Sequence, residues 1–199
     1  MTKLTVIMPV YNTENFLHKS IESVLNQTLG DFEFIIINDG STDSSLEILN
    51  YYSKKDSRIK IINQSNAGAS KSFNNALNFV QSPLIARMDS DDICYLNRFK
   101  LQYNFLNKYK DISALGGSVK LIDENDNILK NVTYPRRMKF IKEHIQFNIP
   151  IAFPAMMIRT DVLKKFNGLR SITDPADDYD LWLRLIDGGK KISNLKNYI

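Results

Sequence analysis

A chain of 199 residues, 43% hydrophobic and 24% charged, is long enough for one domain with a proper core and has the balance of an ordinary globule. Its net charge of +4 is spread along the sequence and forms no block, which argues against a dedicated nucleic-acid binder and leaves anionic small molecules or a membrane surface as partners. One cysteine, Cys94, excludes an internal disulfide and fits a reducing compartment as a small buried residue, and two histidines leave little for a Cys/His zinc site.

Leu4-Thr5-Val6-Ile7-Met8-Pro9-Val10 is a near-continuous apolar run, the pattern of a strand covered on both faces. Thr13 or Asn15 can cap a helix running to about Gln27, with Leu17, Ile21 and Val24 on one face. Phe32 to Asn38 is a second buried strand. Asp39-Gly40-Ser41-Thr42-Asp43 turns the chain, and Ser44-x-x-Glu47 predicts a capping box for a helix ending near Lys54. A third strand spans 59–62, a helix 71–80 and a fourth strand 84–88. Strand and helix alternating in this way predict a doubly wound, mostly parallel α/β sheet, which binds ligands beyond the carboxyl ends of its strands. Neither G-x-G-x-x-G nor G-x-x-x-x-G-K-[ST] is present, so a dinucleotide-binding Rossmann domain is disfavoured and a P-loop excluded.

Behind the fourth strand lie Asp89, Asp91 and Asp92, in the run Arg87-Met88-Asp89-Ser90-Asp91-Asp92. Three carboxylates in four positions read either as a solvated turn capping the next helix or as a site for Mg²⁺ or Mn²⁺ carrying a diphosphate. The second half predicts a helix over 96–108, a strand over 114–122 with a close approach at Gly116-Gly117, and a polar hairpin turn at 123–127. It continues with a short helix over 140–147, a strand over 155–159, a helix over 161–166 and a strand over 190–195. Asp177-Asp178-Tyr179-Asp180 opens a helix with Leu181, Trp182, Leu185 and Ile186 inward. Acids there complement the helix dipole, or one of them stands free of metal as a general base. No stretch approaches the roughly 20 apolar residues that cross a bilayer, and the start lacks a signal-peptide pattern.

In order along the chain, Val6 to Asn12, Ile36 to Asp43, Asn66-Ala67-Gly68-Ala69-Ser70 with Asn74, Asp89-Ser90-Asp91-Asp92, Pro154 to Arg159 and Asp177 to Leu185 resemble the motifs of the family 2 glycosyltransferases. These are inverting GT-A enzymes that use nucleotide-diphosphate sugars. The resemblance covers nearly the whole chain and implies a GT-A fold, an α/β architecture with a Rossmann-like central sheet, helices on both faces and a smaller acceptor-side β/α region. It divides the chain into a nucleotide-sugar half, 1–95, and an acceptor half, 96–199. It also implies roles. Asp39 would bond the base, usually uracil, with Tyr11 packed beside it; Pro9, Val10 and Glu14 would lie near the nucleotide. Asp89 would contact ribose or the metal shell, with Ser90 between it and Asp91, and Asp91 would hold Mg²⁺ or Mn²⁺ on the diphosphate. Asp92 has no assigned role. Asp178 would be the general base, with Asp177 and Trp182 on the acceptor side.

Three departures from the family pattern stand out: Asp177 where Glu is common, Phe73 where Arg precedes Asn74, and Phe153 where His is common. Basic contacts to phosphate then fall to Lys71 or Arg87. Partners implied are a nucleotide-diphosphate sugar, UDP-linked, and a saccharide or lipid-linked acceptor, with peripheral membrane association at the cytoplasmic face. Many relatives continue further, so the chain reads as a compact or a truncated catalytic domain. The alternatives are a GT-A-like domain that binds a nucleotide sugar without turnover and a nucleotidyltransferase. The free carboxylate at Asp178 argues against the first, and the absence of a basic glycine-rich loop after the first strand against the second.

Overall fold

The computed structural model describes residues 2–170 and 176–199. Its first half alternates β1 (Leu4–Val10), α1 (Glu14–Leu25), β2 (Phe32–Asn38), α2 (Ser45–Lys55), β3 (Ile59–Asn63), α3 (Ala69–Leu77) and β4 (Leu84–Arg87). The strands pair in parallel in the order β3-β2-β1-β4. Both faces are covered, as the apolar runs require. Ile7, Ile35 and Ile37 enter one core with Phe73 of α3, while Val6, Met8, Phe34 and Ile36 enter the other with Leu17 and Ile21 of α1.

The second half comprises α4 (Arg98–Lys108), β5 (Ile112–Ile122), β6 (Ile128–Val132), α5 (Met138–His144), a 3-10 turn at Phe153–Ala155, β7 (Met157–Arg159), α6 (Thr160–Lys165), α7 (Asp177–Asp187) and β8 (Lys191–Tyr198). These strands extend the same sheet. Three-residue β7 runs antiparallel between β4 and β5, the β5–β6 hairpin forms the far edge, and β8 pairs in parallel with β5. The doubly wound reading holds, with a reversal of direction at β4/β7 that the alternation did not announce.

Buried polar side chains lock this junction. Arg98, 2% exposed, donates to the carbonyls of Arg87 (2.7 Å) and Pro154 (2.8 Å). Gln102 donates to those of Leu115 (3.0 Å) and Ala155 (2.9 Å). The close approach expected at the glycine pair is to protein. A Cβ on Gly116 would lie 2.5 Å from Asn194 Oδ1 and from Ile151, and one on Gly117 would lie 2.7 Å from Ile199.

Helix starts differ from the local patterns. Neither Thr13 nor Ser44 caps its helix through its side chain, and the Ser44–Glu47 box does not form. The caps are exchanged between loops. Asp43 accepts from Glu14 N (3.1 Å) and Ser45 N (2.9 Å), and Glu14 accepts from Ser44 N (2.8 Å). A carboxylate serves both N-termini because the free N–H groups and the helix dipole favour negative charge there. The 123–127 segment is the polar turn expected, with Asp123 accepting from the backbone of Asn125 and Asn127, each at 2.9 Å.

Candidate active site

Parallel strands β1, β2 and β4 end at one edge of the sheet, so Tyr11, Asp39 and Asp89 emerge together there. The first two loops are stitched to each other. Asn12, held at φ 51°, accepts from Thr42 N at 2.8 Å, and its own N–H donates to Ser41 Oγ at 3.2 Å. Tyr11 is exposed and Pro9 half-buried, whereas the Val10 side chain is core, so only its backbone can face a ligand. Glu14 is likewise committed, as the α2 cap.

Asp39 is 2% exposed. One carboxylate oxygen accepts from Gln64 Nε2 (2.6 Å) and Ala67 N (2.9 Å), the other from Gly68 N (2.9 Å). It therefore fastens the loop leading into α3 to the end of β2. A carboxylate has about four acceptor positions. Three are used, which leaves one on Oδ2. Gln64, which also donates to Ser72 Oγ (3.0 Å), was invisible to motif reasoning because its role is a contact between loops. Lys71 is exposed and makes no hydrogen bond within the described residues.

In the acidic cluster Asp89 accepts from Arg87 Nε at 2.7 Å, and Ser90 is buried. Asp91 is exposed and unpaired within the described residues. The Asp92 carboxyl is pushed up to about 7 by burial first, then by the charges of Asp89 and Asp91, with Arg98 and Arg87 opposing. Arg87, expected as a phosphate contact, is instead 6% exposed, stacked 4.2 Å over the Phe153 ring, with Nη1 buried and unpaired.

Helix α7 supplies the opposite wall. Asp178 is half-buried and accepts from Tyr179 N at 2.6 Å. Burial raises its carboxyl above the usual carboxylate range; the Tyr179 N–H lowers it, the Asp177 charge adds to the rise and Arg87 opposes. Asp177, expected on the acceptor side, accepts from Ser70 Oγ and so ties α7 to α3. Trp182 also differs from expectation. It has no exposed surface and packs edge-on against Phe153, ring centroids 5.9 Å apart, so it supports the wall from behind and cannot meet an acceptor directly.

Two cavities meet at the acidic cluster. One of about 270 Å³ is lined by Asp91, Asp92, Phe16, Lys19 and the tip of the β5–β6 hairpin. Another of about 540 Å³ runs between Asp92 and Asp178, walled by Tyr95, Lys120, Tyr134 and Phe153. Tyr134 and Lys120 carry no motif and were not singled out from the sequence. Burial, with the Asp178 charge nearby, raises the Tyr134 hydroxyl above its ordinary value.

The profile of glycosyl transferase family 2 matches residues 5–166. The chain belongs to that family. Its likeness to curated relatives extends further than the profile. A glycosyltransferase of Methanocaldococcus jannaschii is 35% identical over 98% of this chain and 69% of the relative. The O-antigen biosynthesis glycosyltransferase WbnJ of Escherichia coli is 35% identical over 92% of this chain and 72% of its own length. Among solved structures, S. aureus TarS superposes with a TM-score of 0.80 at 23% identity, over 98% of this chain. The mannosyltransferase PcManGT of Pyrobaculum calidifontis does so with 0.77 at 12% identity. These likenesses give the family 2 chain the GT-A fold. It spans 58% of the TarS chain and 55% of the PcManGT chain. Among the described residues no helix is long and apolar enough to cross a membrane.

Proposed function

We propose that this family 2 chain moves a sugar from a nucleoside-diphosphate donor, UDP-linked, to an acceptor hydroxyl in polysaccharide or glycolipid synthesis, with inversion. The observation that carries the proposal is the larger cavity. Asp92 of the acidic cluster lines it on one side, where the smaller cavity with Asp91 adjoins, and a second, separate carboxylate, Asp178, lines it on the other. A transfer of this kind needs charge control at the leaving group and a proton acceptor at the nucleophile. TarS has been solved with UDP and with UDP-GlcNAc, and PcManGT with GDP-Man and Mn²⁺, which supports a donor of this class here.

Among the described residues no three His, Cys, Asp or Glu side chains converge as a ready-made metal cage. A cation carried by a diphosphate needs only one or two protein carboxylates, and unpaired Asp91 with neighbouring Asp89 fits that requirement. Mg²⁺ or Mn²⁺ held there would neutralise the departing diphosphate. Asp178, its proton affinity raised by burial, would take the acceptor's hydroxyl proton. Asp39, with one acceptor position left, would take an N–H of the base. A lipid-linked acceptor would place the work at the cytoplasmic face of a membrane.

Thermal unfolding with nucleotides tests this reading. UDP with Mn²⁺ should raise the melting temperature, and Asp91→Asn should remove most of that rise. Equal stabilisation by UDP with and without metal would end the metal role. Asp178→Asn should abolish transfer from a panel of nucleotide sugars while UDP binding persists, and normal transfer by that variant would place the base elsewhere.

A further inference from the structure

The surroundings of Lys120 are acidic, yet its ammonium is unpaired. It sits on β5, half-buried, opposite Asn131 of β6. Asp91, Asp92, Asp123, Glu124 and Asp126 line the smaller cavity with it. Even so, Lys120 makes no ion pair or hydrogen bond within the described residues, whereas Lys19, the other cation lining that cavity, is taken by Asp126 at 2.6 Å. Two tyrosine rings flank the Lys120 ammonium, Tyr95 at 5.6 Å and Tyr198 at 5.3 Å from centroid. Ring faces of this kind attract a cation and restrict where it points without consuming its N–H donors.

Lys120 also lines the larger cavity, the one that Asp178 faces. Among the described residues it is the cation common to both spaces that has no partner of its own. An anion bridging the cavities would meet it. On the function proposed above, that anion would be a diphosphate, with its metal side toward Asp91 of the smaller cavity and its sugar side toward Asp178 of the larger.

We propose that Lys120 is a donor-binding residue that holds the diphosphate and receives its charge as the sugar leaves. This rests on the proposed function above. In the transfer the acceptor oxygen bonds to the anomeric carbon and the bond from that carbon to the β-phosphate oxygen breaks. The hydroxyl proton passes to Asp178, and the electron pair departs with the diphosphate. The new charge therefore appears on the β-phosphate, where a preorganised ammonium stabilises the transition state more than the ground state.

The test is calorimetric binding of UDP, GDP and uridine, each with Mn²⁺, to the wild-type chain, Lys120→Met and Lys120→Arg. Loss of a charge-assisted contact should weaken the diphosphates about 10–100-fold in Lys120→Met and leave uridine unchanged. Lys120→Arg should restore most of the affinity. Diphosphate affinity unchanged in Lys120→Met, against a wild type that binds, overturns the lysine's role and leaves the functional reading standing. Equal losses for UDP and uridine also overturn it, because they mean general damage to the site. If the wild type binds neither diphosphate, the functional reading falls and this one with it.

Discussion

Asp39→Asn isolates what the carboxylate does before any ligand arrives. The wild-type side chain accepts three hydrogen bonds, two of them from the backbone of Ala67 and Gly68, in a site that is 2% exposed. An amide has one acceptor oxygen and one NH₂. Whichever way it is turned, either the Ala67 or the Gly68 N–H must face a donor. A bond to a charged group is worth about 1.5–3 kcal/mol, and a buried N–H left unmet costs about 1–3 kcal/mol. The surviving bonds weaken as well, since their acceptor is no longer charged. Partial relaxation of the loop toward solvent offsets some of this, giving an expected loss of about 2–4 kcal/mol, or about 5–15 °C in melting temperature for a chain of this size. Urea unfolding without nucleotide measures the loss. Amide exchange at Ala67 and Gly68 localises it, and both amides should exchange faster than in the wild type. A variant that melts within about 1 °C of the wild type, with those two amides equally protected, would refute the clamp.

Gly40→Ala attacks the same junction from the other side. Its φ of +76° disfavours any Cβ, and the added atom would lie 2.8 Å from Asn66 N, so urea unfolding should show a loss of about 2 kcal/mol or more. Asp180→Asn breaks the pairs with Arg170 and Arg184. About 2–3 kcal/mol is expected, less than for a fully buried pair because Arg170 is half-exposed. The bond from Arg170 holds the Asp180 carboxyl below the usual carboxylate range, and the bond from Arg184 adds to this. Its contribution is therefore complete above the unfolded value of about 4 and disappears as pH falls through the lower folded one. Urea midpoints across an acid series should converge for wild type and variant only below about pH 4.

Regular elements were legible because burial on two faces leaves a continuous apolar run. Phe32–Asn38 was read to the residue, and both ends of β1 likewise. Placement of Asp39 and the Asp89 cluster at one edge followed from parallel pairing alone. What could not be read were contacts between segments. Ser44-x-x-Glu47 has the right spacing for a local cap, but Asp43 and Glu14 win by reaching across to each other's helix. Position along the sequence also says nothing of strand order, so the insertion of β7 was hidden, and with it the reason for burying Arg98. Helical spacing turned Trp182 inward from the start, and it packs in the core beside Phe153; the acceptor-side role came only from the resemblance. Lys120 and Tyr134 belong to no pattern; they matter only because the sheet carries the β5–β6 hairpin back over the acidic cluster.

The antiparallel insertion of β7 has a consequence for synthesis. Once β4 has formed, its outer edge stays open until β7 emerges about 70 residues later. At about 5–20 residues per second that interval is roughly 4–14 s, during which Leu84, Ile85 and Ala86 present an apolar, unpaired edge. The nucleotide-side half therefore passes through a window in which another growing chain can dock where β7 belongs. Slowed translation between β4 and β7 should lengthen that window and increase aggregation, while the same slowing after β7 should not.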